Sequence, residues 1–186
     1  MTEPVFTIAN QLTMLRMALV PLLVLLVLGR EFSWALVVFV VAGLTDALDG
    51  YVARHAGQST TLGSMLDPVA DKIFVGSSYA VLTWSSGLTC PLPLWLTVTV
   101  LFREGMLLVA VVVVNLTIGR RVYQPSRLGK VSTFLNIAAG AAALLVNALG
   151  ECPRAVWWLY VATLGVMIAS TLQYLYLASE RTPKRA

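Results

Sequence analysis

The 186 residues are 58% hydrophobic and only 12% charged, with a mean hydropathy of +0.81. A soluble domain carries about a quarter of its residues charged, so half that share excludes an ordinary water-soluble globule and directs the apolar surface to lipid. The net charge of +4 does not indicate a nucleic-acid binder, because the basic residues sit between apolar runs rather than among aromatics, and the single histidine, His55, leaves little scope for histidine-based acid/base or zinc chemistry.

Residues 1–10 are short, mixed and contain Pro4, and are expected to lie at the interface as an amphipathic lead-in. A helix needs about 20 mostly apolar residues to span a bilayer, and six stretches qualify. The first covers residues 12–28, with Pro21 expected to kink it. It lacks a basic leader and Arg16 interrupts it, so it reads as a retained helix rather than a cleaved signal peptide. The others cover residues 32–53, 62–82, 92–118, 131–149 and 156–178. The expected fold is an all-α integral membrane protein, a single domain over residues 1–186, with six transmembrane helices and a short N-terminal interfacial segment.

Six spans put both termini on one side. That side carries Arg54, Arg120, Arg121, Arg127, Lys130, Arg181, Lys184 and Arg185, and the other only Arg30 and Arg154. The excess of positive charge assigns the first side to the cytoplasm. Trp157 and Trp158 open the sixth span while Tyr174 and Tyr176 close it, as interface anchors do. The fifth span reads NIAAGAAALLVNALG, whose small residues permit close helix approach. Cys90 and Cys152 fall on the outer side and match no metal spacing. They are expected to be two inert cysteines, with a disulfide the alternative in an oxidising compartment.

Four of the nine acidic residues lie in one stretch, LTDALDGYVARHAGQSTTLGSMLDPVADKI. Asp46 and Asp49 are three apart near the inner end of the second span; Asp67 and Asp71 are four apart in the opening turns of the third. These spacings put each pair on one helix face, and a short connection is expected to bring the faces together at the membrane edge. Four carboxylates converging where water is scarce repel one another unless protonated or held by cations. An oxygen-only donor set suits Mg²⁺, Mn²⁺ or Ca²⁺, and four shared carboxylates can hold two ions about 3.5–4 Å apart, as in phosphoryl displacement. Gly50 and Gly63 let a ligand approach the backbone, Ala53 keeps that wall low, Arg54 offers a planar fork for phosphate, and Pro68 frees a carbonyl in the third span. Ionisable groups at membrane depth are costly and mark function by default.

The stretch DALDGYVAR, eight residues, then GSMLDPVAD resembles the signature of the CDP-alcohol phosphotransferases, D-x2-D-G-x2-A-R-x8-G-x3-D-x3-D. All eight fixed positions are met, by Asp46, Asp49, Gly50, Ala53, Arg54, Gly63, Asp67 and Asp71. At residue frequencies of about 6%, chance produces such a match on the order of once in 10^10 starting points. The resemblance implies an enzyme that transfers a substituted phosphate from a CDP-linked donor to an alcohol and releases CMP. It further implies that Asp46, Asp49, Asp67 and Asp71 bind two divalent cations, Mg²⁺ or Mn²⁺. In that family the last aspartate, here Asp71, also acts as general base, while Gly50, Ala53, Arg54 and Gly63 line the nucleotide site. A homodimer in a bacterial plasma membrane, with the active site facing the cytoplasm, is implied as well.

LDPVADK, with Lys72 after the last aspartate, and the opening ANQLTMLR are similar to the phosphatidylglycerophosphate synthase and cardiolipin synthase branches. Both take CDP-diacylglycerol as donor. The expected acceptor is glycerol 3-phosphate, on the compact length, with phosphatidylglycerol the alternative. Candidate acceptor-phosphate contacts are Arg103, Arg127, Lys130, Asn10, Thr13 and Arg16. Arg103 is expected to point into a polar cavity rather than pair with Glu104, since adjacent helical residues do not face each other. Arg127 and Lys130 are three apart on one face. A rival of another class, a small transporter using the aspartates as a relay, calls for internal repeats with helices interrupted near the midplane, and no repeat is visible.

Overall fold

A computed structural model describes residues 8–56, 61–117 and 127–180 of the chain. The described residues form six helices and no strand: α1 (Ile8–Leu28), α2 (Phe32–Ala56), α3 (Thr61–Trp84), α4 (Leu94–Thr117), α5 (Arg127–Leu149) and α6 (Arg154–Glu180). Each matches one expected span. α1 begins earlier than expected, at Ile8, so the last residues of the anticipated interfacial lead-in are already helical; residues 1–7 lie outside the described chain. α1 continues through Pro21, and α3 through Pro68.

Two helix ends show why the connections are tight. At the end of α1, Glu31 N–H donates to Leu26 O at 2.8 Å and Arg30 N–H to Val27 O at 3.0 Å, with Arg30 at φ 63°. At the end of α5, Glu151 N–H donates to Val146 O at 3.1 Å and Gly150 N–H to Asn147 O at 3.3 Å, with Gly150 at φ 71°. Both are left-handed caps that satisfy the last carbonyls and reverse the chain within a few residues. Gly150 takes this conformation freely, whereas Arg30 does so against its Cβ.

α1 packs on both α2 and α3, α5 on α6 and α2, α3 on α4 and α5, and α4 on α6. The two helices that carry the aspartates therefore share α1 as a common support. They also meet directly where Phe39 and Phe74 pack, ring centroids 5.4 Å apart. Gly140 of α5 explains the close approach of α2: a Cβ there would lie 2.9 Å from the tip of the Phe39 ring. The small residues of α5 are thus an interhelical contact, as the sequence suggests. Tyr79 OH donates to Asn136 O at 2.7 Å and Thr83 Oγ1 lies 2.6 Å from Thr97 Oγ1, which set the registers of α3 against α5 and α4.

Polarity is distributed inside out. Thr13, Arg16, Ser78, Thr97, Arg103, Glu104, Ser132, Asn136, Asn147, Thr163 and Ser170 are buried, while Phe102 and Phe134 are each 70% exposed and many leucines and valines face outward. An apolar exterior this extensive marks a surface that meets something other than water. Between helices in lipid there is no hydrophobic drive to associate, so the interior hydrogen bonds and close van der Waals contacts hold the bundle together. Among the described residues two helices are long and apolar enough to cross a membrane, Leu128–Leu149 and Arg154–Tyr174; Thr13–Leu28 and Phe32–Thr45 are shorter apolar stretches. Asp46, Asp49, Asp67, Asp71, Lys72, Arg103 and Glu104 interrupt the otherwise apolar runs of α2, α3 and α4.

One end of the bundle is fastened more firmly than the sequence suggests. Cys90, in the α3–α4 connection, is disulfide-bonded to Cys152, in the α5–α6 connection, with Cα atoms 5.3 Å apart. This corrects the expectation of two inert cysteines: the connections of two antiparallel helix pairs come to the same end and side of the bundle, a proximity that 62 residues of sequence separation conceal. Asn147 clamps the same loop, accepting from Cys90 N–H at 3.0 Å and donating to Cys90 O at 2.9 Å and Ala143 O at 2.8 Å. All five tryptophans, Trp34, Trp84, Trp95, Trp157 and Trp158, stand at this end, in the first or last turns of α2, α3, α4 and α6. Trp95 and Trp157 meet edge to face at 5.7 Å.

Candidate metal and phosphate site

The tryptophan-bearing end gives a ruler for the aspartates. At 1.5 Å per helical residue, Asp46 and Asp49 lie about 18 and 22 Å along α2 from Trp34. By the same count Asp71 and Asp67 lie about 20 and 26 Å along α3 from Trp84. The four residues thus fall at similar depth on two helices that share α1. Gly50, Ala53 and Arg54 continue α2 beyond Asp49, and Gly63 opens α3, so all eight signature positions sit on these two helices at the end opposite the tryptophans.

Asp71 is the member of the quartet whose side chain is described, and it is about one-third exposed. The side chains of Asp46, Asp49, Asp67, Gly50, Ala53, Arg54 and Gly63 lie outside the described residues, as do those of Asn10, Arg127 and His55, and Arg120 and Arg121 altogether. Among the described residues no three acidic, histidine or cysteine side chains converge. What the described part offers is a carboxylate of the right chemistry: oxygen-only, partly accessible, and one helical turn from a second aspartate at i−4. A carboxylate oxygen of this kind suits a hard divalent cation.

The candidate phosphate contacts separate into two groups. Thr13 and Arg16 are both buried, three residues apart on the face of α1 that continues through Leu23 and Val27 into the core. Arg16 is about 18 Å along α1 from Leu28, at the depth of Asp46 and Asp71. A buried arginine at that level on the helix shared by α2 and α3 is suitably placed for an anionic ligand. Lys130, by contrast, is exposed on α5.

Arg103 departs from expectation. Its Nη1 donates to Glu104 Oε1 at 2.8 Å, so the two neighbours pair although helix geometry turns their Cα–Cβ bonds apart. Both side chains are long, and burial favours their contact over two separate charges at low dielectric. Glu104 holds a second cation as well, accepting from the Lys72 ammonium across the α3–α4 interface. Lys72 Nζ is in turn 3.8 Å from Asp71 Oδ2. In the sequence Lys72 marks the branch, and Glu104 stands beside Arg103 as its alternative partner. The available signal was the acid itself, standing in the apolar run LTVTVLFREGMLLVAVVVV at a depth where an ionisable group is costly.

Comparison with known proteins gives the family. Over 142 residues the chain is 43% identical to a cardiolipin synthase (CMP-forming) of Streptomyces coelicolor, a match covering 72% of this chain and 62% of that protein. It is 44% identical over 110 residues to the human cardiolipin synthase (CMP-forming), covering 59% of this chain and 35% of the human one. A probable phosphatidylglycerophosphate synthase of Mycobacterium tuberculosis is 36% identical over 141 residues, covering 71% and 63%. The chain thus spans less than two thirds of the length of each of these relatives. The sequence profile described as CDP-alcohol phosphatidyltransferase matches residues 6–179, from before α1 almost to the end of α6. With its signature laid along α2 and α3, the chain belongs to the CDP-alcohol phosphatidyltransferase family.

Proposed function

We propose that the protein is a membrane-embedded enzyme that moves a phosphatidyl group from CDP-diacylglycerol to an alcohol, releasing CMP. The observation that carries this reading is the complete signature on two helices sharing one support, with Asp71 partly accessible at the depth of a buried arginine. In the proposed step the acceptor hydroxyl attacks the phosphatidyl phosphorus, the bond from that phosphorus to the CMP oxygen breaks, and Asp71 takes the hydroxyl proton. Asp46, Asp49, Asp67 and Asp71 would hold two Mg²⁺ or Mn²⁺ ions, which when bound offset charge on the pyrophosphate and the departing CMP. Gly50, Ala53, Arg54 and Gly63 form the nucleotide wall. Thr13, Arg16, Asn10, Arg127 and Lys130 are the candidate contacts for acceptor phosphate, while Arg103 is held by Glu104.

Phosphatidylglycerol becomes the favoured acceptor. The relatives named cardiolipin synthase reach 43% and 44% identity against 36% for the probable phosphatidylglycerophosphate synthase. This reverses the order suggested by chain length, and glycerol 3-phosphate is the second reading. Both acceptors carry phosphate, so the basic residues do not discriminate between them.

The membrane placement is six spans, as a homodimer in a bacterial plasma membrane, with both termini and the aspartates facing the cytoplasm. The tryptophan ring supports one interface there. From that ring a hydrocarbon layer of about 30 Å extends past the aspartates. The disulfide supports assigning the tryptophan end to the oxidising side.

The decisive assay supplies purified protein with CDP-diacylglycerol and one acceptor at a time, scoring CMP and the lipid product. CMP release with phosphatidylglycerol, abolished by EDTA and restored by Mg²⁺ or Mn²⁺, is the expected result. Release with glycerol 3-phosphate alone replaces the acceptor, undiminished turnover in excess EDTA removes the cations, and no CMP with any alcohol ends the enzymatic reading.

A further inference from the structure

Among the described residues, two carboxylates lie within reach of the Lys72 ammonium. It donates to Glu104 Oε2, while Asp71 Oδ2 is 3.8 Å away, within Coulombic reach but beyond a hydrogen bond. Glu104 simultaneously accepts from Arg103 Nη1 at 2.8 Å through its other oxygen. Asp71, Lys72, Arg103 and Glu104 sum to no net charge among themselves. Lysine carries a compact charge on a flexible stem, and small rotations suffice to move that charge from one carboxylate to the other. Glu104 is 11% exposed and Asp71 34%; less water screens the deeper carboxylate, so its attraction for the ammonium is stronger. Were Lys72 to settle on Asp71, a cation would occupy the same oxygens through which that aspartate meets a metal ion.

We propose that Glu104 is a positioning residue: by holding the Lys72 ammonium it keeps that charge off Asp71 and leaves the Asp71 carboxylate to a divalent cation. The inference rests on the two-cation reading of the aspartates and adds to it a residue outside the signature.

Glu104→Gln separates the parts, because the amide still accepts from Arg103 but no longer carries the charge that retains Lys72. Binding of Mn²⁺ to purified protein in detergent, read from the electron paramagnetic resonance signal of free Mn²⁺, is expected to weaken about tenfold. Adding Lys72→Met to Glu104→Gln is expected to return the affinity to within about twofold of wild type, since the competing ammonium is gone. Glu104→Asp, which keeps the charge, should bind Mn²⁺ more tightly than Glu104→Gln. A merely structural role predicts the opposite for the double variant, which would lose a second packed side chain and improve nothing. Wild-type affinity in Glu104→Gln, or a double variant as weak as the single one, overturns the proposal alone. A wild-type protein that binds no Mn²⁺ overturns the two-cation reading and this proposal together.

Discussion

The two ends of the bundle are built for different purposes. At the tryptophan end, the connection after α3 is tied to the connection after α5 twice, covalently through Cys90–Cys152 and by the Asn147 clamp on the Cys90 backbone. Left-handed caps close α1 and α5 there, and Trp95 lies against Trp157. In the other half the described interior holds the buried Thr13 and Arg16 of α1 and a chain of charges, Asp71–Lys72–Glu104–Arg103, in which Lys72 and Glu104 join α3 to α4. If the proposed site gathers like charges and admits a lipid-linked nucleotide, it is a poor source of rigidity, because a functional site trades stability for its chemistry. Fastening the far ends of the same helices supplies order without occupying the site.

The comparison makes substitutions at the two ends separable. The largest effect is expected at the charged end: Asp71→Asn should lower turnover about 10^3-fold as the proposed base is lost. Its unfolding temperature should be unchanged or higher, since one member of a like-charged group is neutralised. CMP release and thermal unfolding in detergent measure the two quantities, and wild-type turnover would remove Asp71 from the chemistry.

At the tied end the signature reverses. Cys90→Ser opens a cross-link spanning 62 residues and should cost about 2–4 kcal/mol of stability, with the turnover of the folded fraction unaltered. Asn147→Ala is next, at about 2–3 kcal/mol, because it orphans the buried backbone N–H and C=O of Cys90. Denaturant titration of each variant beside its CMP-release rate decides the matter. Should either variant lose turnover while its stability holds, the division of labour between the ends fails.

Much of this was readable along the chain. The six apolar runs became α1 to α6, and the eight signature positions fell on α2 and α3, because both patterns depend on local periodicity that a helix converts directly into faces and depths. Where the reading fell short, long-range neighbours decided the outcome. Arg103 was expected to face a cavity and instead pairs with Glu104, whose second oxygen is engaged by Lys72 from another helix. Cys90 and Cys152 were expected to be inert, with a disulfide the alternative, and helix lengths bring their loops to one point where they pair. The support that α1 gives to both aspartate-bearing helices, which themselves touch at Phe39 and Phe74, has no signal in the spacing of the aspartates.

The amino-acid order alone determined the class of molecule, the helices and the acidic signature, since hydropathy and spacing act over a few turns and need no partner. Only the tertiary arrangement decided which charges neutralise one another, which end is cross-linked and which helix supports the aspartates. Those outcomes depend on side chains tens of residues apart meeting at low dielectric, where each ionic group takes the partner the packing brings within reach.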